Sequence, residues 1–149
     1  ALFAGQGVDA EVKTAGNADG VERTLDAVAE ATASGRPTFV WTNLVDFDEL
    51  FGHRGDAPGY AGALEAFDAA LPRLEAALPP DAVLVLTADH GNDPTTPGSD
   101  HTRERVPVLL YRPGGPGRDL GTGATFADHA ATVARYFGAP WDGPGMPIG

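Results

Sequence analysis

Apolar residues along the chain recur first at helical and then at strand-like spacing. Two amphipathic helices are predicted, because apolar side chains repeat every three to four residues on one face. The first face consists of Val21, Leu25, Val28 and Thr32, and the second of Tyr60, Leu64, Phe67, Leu71, Leu74 and Leu78. Asp19, with Glu22 three positions later, is the expected N-cap of the first helix. Pro72 is expected to kink or break the second.

Short apolar runs between these helices predict strands. They are Thr38–Val45, Ala82–Thr87 and Val106–Tyr111, with a weaker one at Leu2–Ala4. A last helix, capped by Thr125, carries Phe126, Ala130, Val133 and Phe137 on one face. Ala82–Thr87 has the continuous apolar character of a buried parallel strand. Strands that alternate with helices predict a layered α/β domain with a mostly parallel sheet flanked by helices.

Composition narrows the classes of partner. The 149 residues correspond to one domain, and the lack of cysteine excludes disulfides, a thiol nucleophile and an iron–sulfur cluster. Ten basic and 21 acidic residues give a net charge of −11, which repels nucleic acid and anionic membranes. No apolar run is long enough to span a bilayer, so a cytoplasmic location is expected. A phosphorylated substrate would need a bound metal to reverse the local charge.

Acidic and histidine residues follow the predicted strands. Asp46–His53 comes after the first strand, Asp89–Gly91 after the second, and Ser99–Glu104 precedes the third. Ligands in parallel α/β sheets sit beyond the carboxyl ends of strands, and carboxylate with imidazole suits zinc, manganese or iron. Together these clusters would suit a two-metal site for phosphoryl transfer. Taken singly, Asp46 could cap a turn, His53 could be a surface residue and Asp100 a turn former; His129 is given no role.

These same segments resemble the phosphopentomutases of the alkaline phosphatase superfamily of binuclear metalloenzymes. The resemblance is carried by Thr42–Asp56, Leu86–Asp93, Pro94–Gly98 and Asp100–Pro107, with support from Phe3–Gly7 and Thr125–Asp128. It implies that Asp48, His53 and His101 ligate one divalent metal, and that Asp89 and His90 ligate a second. Manganese is the metal expected from the family, with zinc as an alternative. The implied reaction moves phosphate between C1 and C5 of ribose or deoxyribose through a phosphorylated threonine, a step of nucleoside metabolism.

The resemblance is to part of the family enzyme. Members are more than twice as long, so residues 1–149 correspond to the C-terminal part of the core domain, without the N-terminal core segment and the cap domain. The threonines of this chain do not lie in the family's nucleophile context; they include Thr87, Thr95, Thr96 and Thr102. The catalytic threonine is therefore expected outside this chain, and the chain alone is expected to be inactive. Asn92 occupies a position where members often carry cysteine.

Several alternatives remain open from the sequence. Arg54 and Arg103 follow implied ligands and could hold phosphate, although pairing with Asp56 and Glu104 is favoured. A cofactor-independent phosphoglycerate mutase, another metal phosphatase or a non-catalytic metal-binding domain are competing functions. The spacing of five residues from Asp48 to His53 and the segment Asp100–Glu104 favour the pentomutase. Expected partners are a pentose phosphate and either the remaining part of the same protein or a second copy.

Overall fold

The computed structural model describes residues 13–149, so the weak strand expected at Leu2–Ala4 lies outside the described residues. Its regular elements are α1 (Asn17–Ser34), α2 (Ala57–Ala77), β1 (Leu84–Thr87), β2 (Val108–Tyr111) and α3 (Ala127–Tyr136). A π-helical turn, Phe47–Phe51, and a 3₁₀ turn, Gly52–Arg54, lie between α1 and α2. Helices and strands are thus both present, as expected of an α/β domain.

Strands β1 and β2 form an antiparallel pair, with Leu84 opposite Tyr111 and Thr87 opposite Val108. The expectation that Ala82–Thr87 is a parallel strand is therefore wrong for this pairing. A parallel connection needs a crossover of a dozen or more residues, usually a helix. Residues 88–107 contain no helix, so the chain returns beside β1 in the opposite direction. Among residues 13–149, no parallel pair is formed.

The segment Thr38–Val45 is not a strand in the structure. A strand requires a hydrogen-bonded neighbour, and within the described part of the chain none lies beside this segment. Phe39 and Trp41 are 54% and 73% exposed instead of buried. The segment is tied to α1 by a hydrogen bond of 2.6 Å between the hydroxyls of Thr24 and Thr42. Its β-branched and aromatic composition indicated a strand, but pairing decides whether one forms.

Asp46, rather than Asp19, caps the start of α1. The backbone N–H of Asn17 donates to Asp46 Oδ2 at 2.7 Å, and the N–H of Asp46 donates back to Asn17 Oδ1 at 3.0 Å. Asp19 lies in the first turn, where its negative charge complements the helix dipole. The reciprocal pair holds the residue that precedes the π-helical turn against the end of α1, which positions that turn.

Helix α2 runs through Pro72 without the expected break. Asp56 caps its start by accepting a hydrogen bond of 3.0 Å from the N–H of Gly59. Arg73 on α2 donates two hydrogen bonds to the carboxylate of Glu22 on α1, at 2.7 and 2.9 Å. That ion pair joins α1 to α2, and the hydrogen bonds from Arg73 lower the pKa of Glu22. None of the helices within residues 13–149 combines the length and apolarity needed to cross a membrane.

The start of α3 is organised by Asp128, together with the expected Thr125. Thr125 Oγ1 accepts from the N–H of Ala127 at 3.3 Å. The Asp128 carboxylate accepts from the N–H groups of Met146, Ala124 and Thr125, at 2.8, 3.0 and 3.2 Å. These backbone donors, Met146 first, lower the pKa of Asp128. Its side chain thereby joins the C-terminal segment to the helix.

Buried apolar side chains are few. Among the described residues, only Val21, Leu74 and Ala131 are buried hydrophobic residues, at 6%, 5% and 1% exposure. They lie on α1, α2 and α3, so each helix contributes one residue to the core. The loops that follow β1 and precede β2 are therefore held largely by hydrogen bonds, which makes those bonds decisive for the site described next.

Candidate metal centre

The π-helical turn brings Asp48 and His53 together. Gly52 closes this turn by donating its N–H to the carbonyl oxygens of Phe47 and Asp48. Because the turn holds more residues than an α-helical turn, side chains five positions apart can face each other. His53 Nε2 lies 3.1 Å from Asp48 Oδ2. The local fold thus explains the five-residue spacing found in the sequence.

A short backbone bridge joins the segment after β1 to the segment before β2. Gly91 and Thr102 form an isolated antiparallel bridge, in which the N–H of Thr102 donates to Gly91 O at 3.0 Å. Thr102 Oγ1 also accepts from the N–H of Asp93 at 2.7 Å. The bridge places the rings of His90 and His101 in a stack, with centroids 3.6 Å apart and planes inclined by 17°.

Three donor groups converge where these segments meet the π-helical turn. One ligand atom from each of Asp48, His90 and His101 lies within 4.8 Å of the other two. His101 Nε2 is 3.5 Å from Asp48 Oδ1, and the rings of His53 and His101 are 5.0 Å apart. One carboxylate and several imidazoles fit a divalent transition metal or zinc.

Backbone carbonyls orient two of these imidazoles. His53 Nδ1 faces the carbonyl of Ser99, and His90 Nδ1 faces the carbonyl of Gly91 at 3.2 Å. In the tautomer protonated at Nδ1, each ring would donate to its carbonyl oxygen, which can only accept. Each Nε2, which faces a carboxylate, would then be available as a metal-ligand atom. Such outer contacts are the usual way in which proteins fix a metal-binding histidine.

Asp89 lies at the edge of the cluster. Its side chain is 71% exposed, and Oδ1 lies 3.6 Å from His90 Nε2. The His90 ring thus lies beside Asp89 and also belongs to the group with Asp48 and His101. The observed grouping crosses the two ligand sets that the family resemblance implies. The division of the five residues between two ions stays a prediction.

Neither arginine next to an implied ligand forms the ion pair favoured from the sequence. Among residues 13–149, Arg54 and Arg103 have no carboxylate within 4.0 Å. Arg54 Nε instead donates to the carbonyl of Glu49 at 3.3 Å, and Asp56 is engaged as the cap of α2. Adjacency in sequence indicated pairing, but the 3₁₀ turn directs the Arg54 side chain back towards the π-helical turn.

Two residues of the centre lack a clear signal in the sequence. Asn92 Nδ2 donates a hydrogen bond to Asp48 Oδ1, although the two residues are 44 positions apart. The sequence places Tyr60 only on an apolar helix face, and in the structure its ring packs against Phe47 with centroids 5.7 Å apart. Burial, and secondarily the negative charge of Asp48, raises the pKa of Tyr60. Only the folded arrangement of the segments reveals either contact.

Comparison with known proteins agrees with a metal-dependent site. The family model described as the metalloenzyme superfamily matches residues 6–140. A phosphopentomutase of Anaeromyxobacter sp. (strain K) is 55% identical over 141 residues, which cover 95% of this chain and 35% of the relative. That of Deinococcus radiodurans is 52% identical over 144 residues, covering 97% of this chain and 36% of the relative.

A third relative, the phosphopentomutase of Methylobacterium radiotolerans, is 51% identical over 147 residues, covering 99% of this chain and 36% of the relative. The chain thus spans about a third of the length of the curated relatives that it matches. The family match extends over most of the chain and includes all five histidine and aspartate residues of the candidate centre. By this match, the chain belongs to the metalloenzyme superfamily.

Proposed function

We propose that this chain carries the metal-binding part of a phosphopentomutase, which interconverts ribose or deoxyribose 1-phosphate with the corresponding 5-phosphate. The observation that carries the proposal is the convergence of Asp48, His90 and His101, with one ligand atom of each within 4.8 Å of the others. It is supported by the 51–55% identity to proteins named phosphopentomutase. The reaction belongs to nucleoside metabolism, for which a cytoplasmic location is proposed.

Membership of the superfamily implies binding of divalent metal. Asp48, His53 and His101 would hold one ion and Asp89 and His90 the other, with Mn²⁺ proposed as the metal. Divalent ions bound there would neutralise a phosphomonoester and polarise its P–O bonds. The donor set supports this proposal because the Nε2 atoms of His53 and His90 each lie beside a carboxylate of the cluster, at 3.1 and 3.6 Å. Neutral imidazoles are required, so affinity for the metal would fall in acid.

The charge of the chain makes local attraction of the substrate necessary. A phosphomonoester brings nearly two negative charges to a chain with a net charge of −11. Arg103 is exposed two positions after His101 and has no ion-pair partner in the described part of the chain. We assign Arg103, and secondarily Arg54, to the phosphate group of the substrate. Both guanidinium groups can provide two parallel donors to a phosphate.

The threonines near the centre support placing the phosphorylated residue elsewhere. Thr95 and Thr96 donate their hydroxyls to the Asp93 carboxylate at 2.7 and 3.2 Å. Thr102 Oγ1 accepts from the N–H of Asp93. The hydrogen bonds from Thr95, and secondarily that from Thr96, lower the pKa of the Asp93 carboxyl. We propose that the nucleophile and much of the sugar recognition come from the longer protein of which this chain would be part, or from a second copy.

The proposal is tested by the conversion of ribose 1-phosphate into ribose 5-phosphate by the full-length protein with Mn²⁺. His101→Ala removes a donor from the centre and is expected to lower kcat/KM at least about 100-fold, since ligand loss exceeds the 10–100-fold effect of outer contacts. The matched control is His129→Ala, which changes a histidine on α3 outside the cluster and should retain most activity. Conversion of phosphoglycerate but not of pentose phosphate would overturn the assignment.

A further inference from the structure

We propose that Asn92 is a positioning residue that fixes the orientation of the Asp48 carboxylate for metal binding. Asn92 Nδ2 donates to Asp48 Oδ1, while Asp48 Oδ2 faces His53 Nε2 at 3.1 Å. The two oxygens thus have different partners, and the amide determines which oxygen faces which. The inference rests on the proposed metal centre and adds a residue to it.

A carboxylate without such a contact is poorly fixed. The terminal torsion of an aspartate is broad, so the plane of its oxygens can rotate. His101 Nε2 and His53 Nε2 approach opposite oxygens of Asp48, at 3.5 and 3.1 Å. Rotation of the carboxylate would move both oxygens away from these rings. One directed N–H donor is enough to prevent it, and the Asn92 amide is that donor.

Asn92 is itself held on both sides along the chain. The residue before it, Gly91, forms the bridge to Thr102, and the residue after it, Asp93, donates its N–H to Thr102 Oγ1 at 2.7 Å. The side chain of Asn92 is partly buried at the π-helical turn. Asn92 therefore connects the segment that carries His90 and the segment that carries His101 to the turn that carries Asp48.

Gly52 gives the Asn92 amide its space. Gly52 is buried, and a Cβ at this position would overlap the Asn92 side-chain amide. Gly52 does not have a positive φ, so its backbone does not require glycine. Close approach of Asn92 is the remaining reason for glycine there. Gly52 leaves the space and Asn92 provides the donor, so both residues are needed for the hydrogen bond to Asp48.

The competing explanation is that Asn92 only fills space beside Gly52. Leucine has nearly the shape of asparagine but lacks the amide donor, so Asn92→Leu separates the two explanations. Asn92→Ala is the second variant, because its smaller side chain cannot clash if the leucine methyl groups do not fit. Asn43→Leu is the matched control, since it makes the same substitution at an asparagine that is exposed.

The experiment is titration of the purified protein with Mn²⁺, with free Mn²⁺ followed by electron paramagnetic resonance. Thermal unfolding without metal verifies that each variant is folded. Asn92→Leu and Asn92→Ala are both expected to weaken Mn²⁺ binding about 10–100-fold. Asn43→Leu is expected to bind like the wild type. Wild-type affinity in a folded Asn92→Leu variant would overturn the positioning role and leave the metal centre intact.

A second measurement uses Gly52→Ala. Since its Cβ displaces the Asn92 amide, Gly52→Ala should weaken Mn²⁺ binding to a similar extent, and the double variant with Asn92→Leu should be little weaker than either single one. If the double variant instead loses the product of the two single losses in Mn²⁺ affinity, Gly52 and Asn92 act separately, and the shared contact is refuted. A folded wild-type protein that binds no Mn²⁺ would overturn the metal centre, and this proposal with it.

Discussion

Gly91→Ala is expected to damage both the stability of the protein and its metal affinity. A Cβ at position 91 would lie 2.8 Å from the carbonyl oxygen of Thr102 and 2.9 Å from the backbone nitrogen of Glu104. To reach ordinary contact near 3.4 Å, one of the two segments must move by about 0.5 Å. Both neighbours are backbone atoms and cannot rotate away. Gly91 has no positive φ, so the effect is one of space and not of backbone conformation.

The size of the effect follows from the contacts that are lost. Weakening the hydrogen bond from Thr102 N–H to Gly91 O costs about 0.5–1.5 kcal/mol. Overpacking by the added Cβ destabilises the fold by about 1–3 kcal/mol. The lower conformational entropy of alanine in the unfolded chain offsets about 0.4–1 kcal/mol of this loss. A net loss of roughly 0.5–4 kcal/mol in the free energy of unfolding is expected. Since the same bridge stacks His90 on His101, Mn²⁺ affinity should fall as well.

Gly62→Ala provides the control for this measurement. Gly62 lies within α2, and nothing is within 4 Å of a Cβ built there. This substitution should stabilise the protein by about 0.5–1 kcal/mol, as expected for alanine in a helix. Urea unfolding followed by circular dichroism gives both free energies, and Mn²⁺ titration gives the affinities. Equal stability and equal affinity of the two variants would refute the role assigned to the bridge.

Three further outcomes are expected. Hydrogen bonding lowers the pKa of Asp128, so the ionised carboxylate stabilises the fold above about pH 4, and this stabilisation is lost as pH falls through the lowered pKa. The difference in free energy of unfolding between wild type and Asp128→Asn, measured in urea, should therefore shrink over that range, and a difference independent of pH would contradict this. His53→Ala should weaken Mn²⁺ binding more than Asp89→Ala, because His53 belongs to the proposed site with three protein ligands, whereas Asp89 is 71% exposed. A calorimetric titration that ranks the two variants in reverse would contradict the proposed ligand sets. Leu74→Ala, at 5% exposure, should cost about 2–5 kcal/mol in the free energy of unfolding, and a loss below 1 kcal/mol would mean that Leu74 is not core.

Periodicity located the helices well, because a repeated apolar face is a local property. Helices α1, α2 and α3 fall where the spacing of Val21, Tyr60 and Phe126 with their successors placed them. The residues that cap the helix ends were harder to predict from the sequence. Asp46 caps α1 from 29 positions away, and that contact depends on how the intervening chain folds back. Strand composition also identified β1 and β2, whereas their antiparallel direction follows from the connection between them and not from their own residues.

In the metal centre, too, the residue types were predictable from the sequence but their arrangement was not. Carboxylates and histidines next to predicted strands drew attention to Asp48, His90 and His101, which do converge. Parallel strand ends do not bring them together; a π-helical turn and a backbone bridge between Gly91 and Thr102 do. Residue type therefore indicated the chemistry, while the geometry arose from loop hydrogen bonds that have no sequence period. Asn92 belongs to the second category, since an asparagine in a loop has no distinctive pattern.

Because the helical core is small, metal bound at the centre would also stabilise the fold. Val21, Leu74 and Ala131 are the only buried apolar side chains within the described residues, so little apolar burial holds the loops around β1 and β2. An ion held by three separate segments would act as a cross-link between them, comparable to the structural metals of small domains. A metal present at 100 times its dissociation constant adds about 2.7 kcal/mol of stability. Resistance of these loops to proteolysis would then follow the supply of divalent cation, so that metal availability would govern the lifetime of the protein as well as its chemistry.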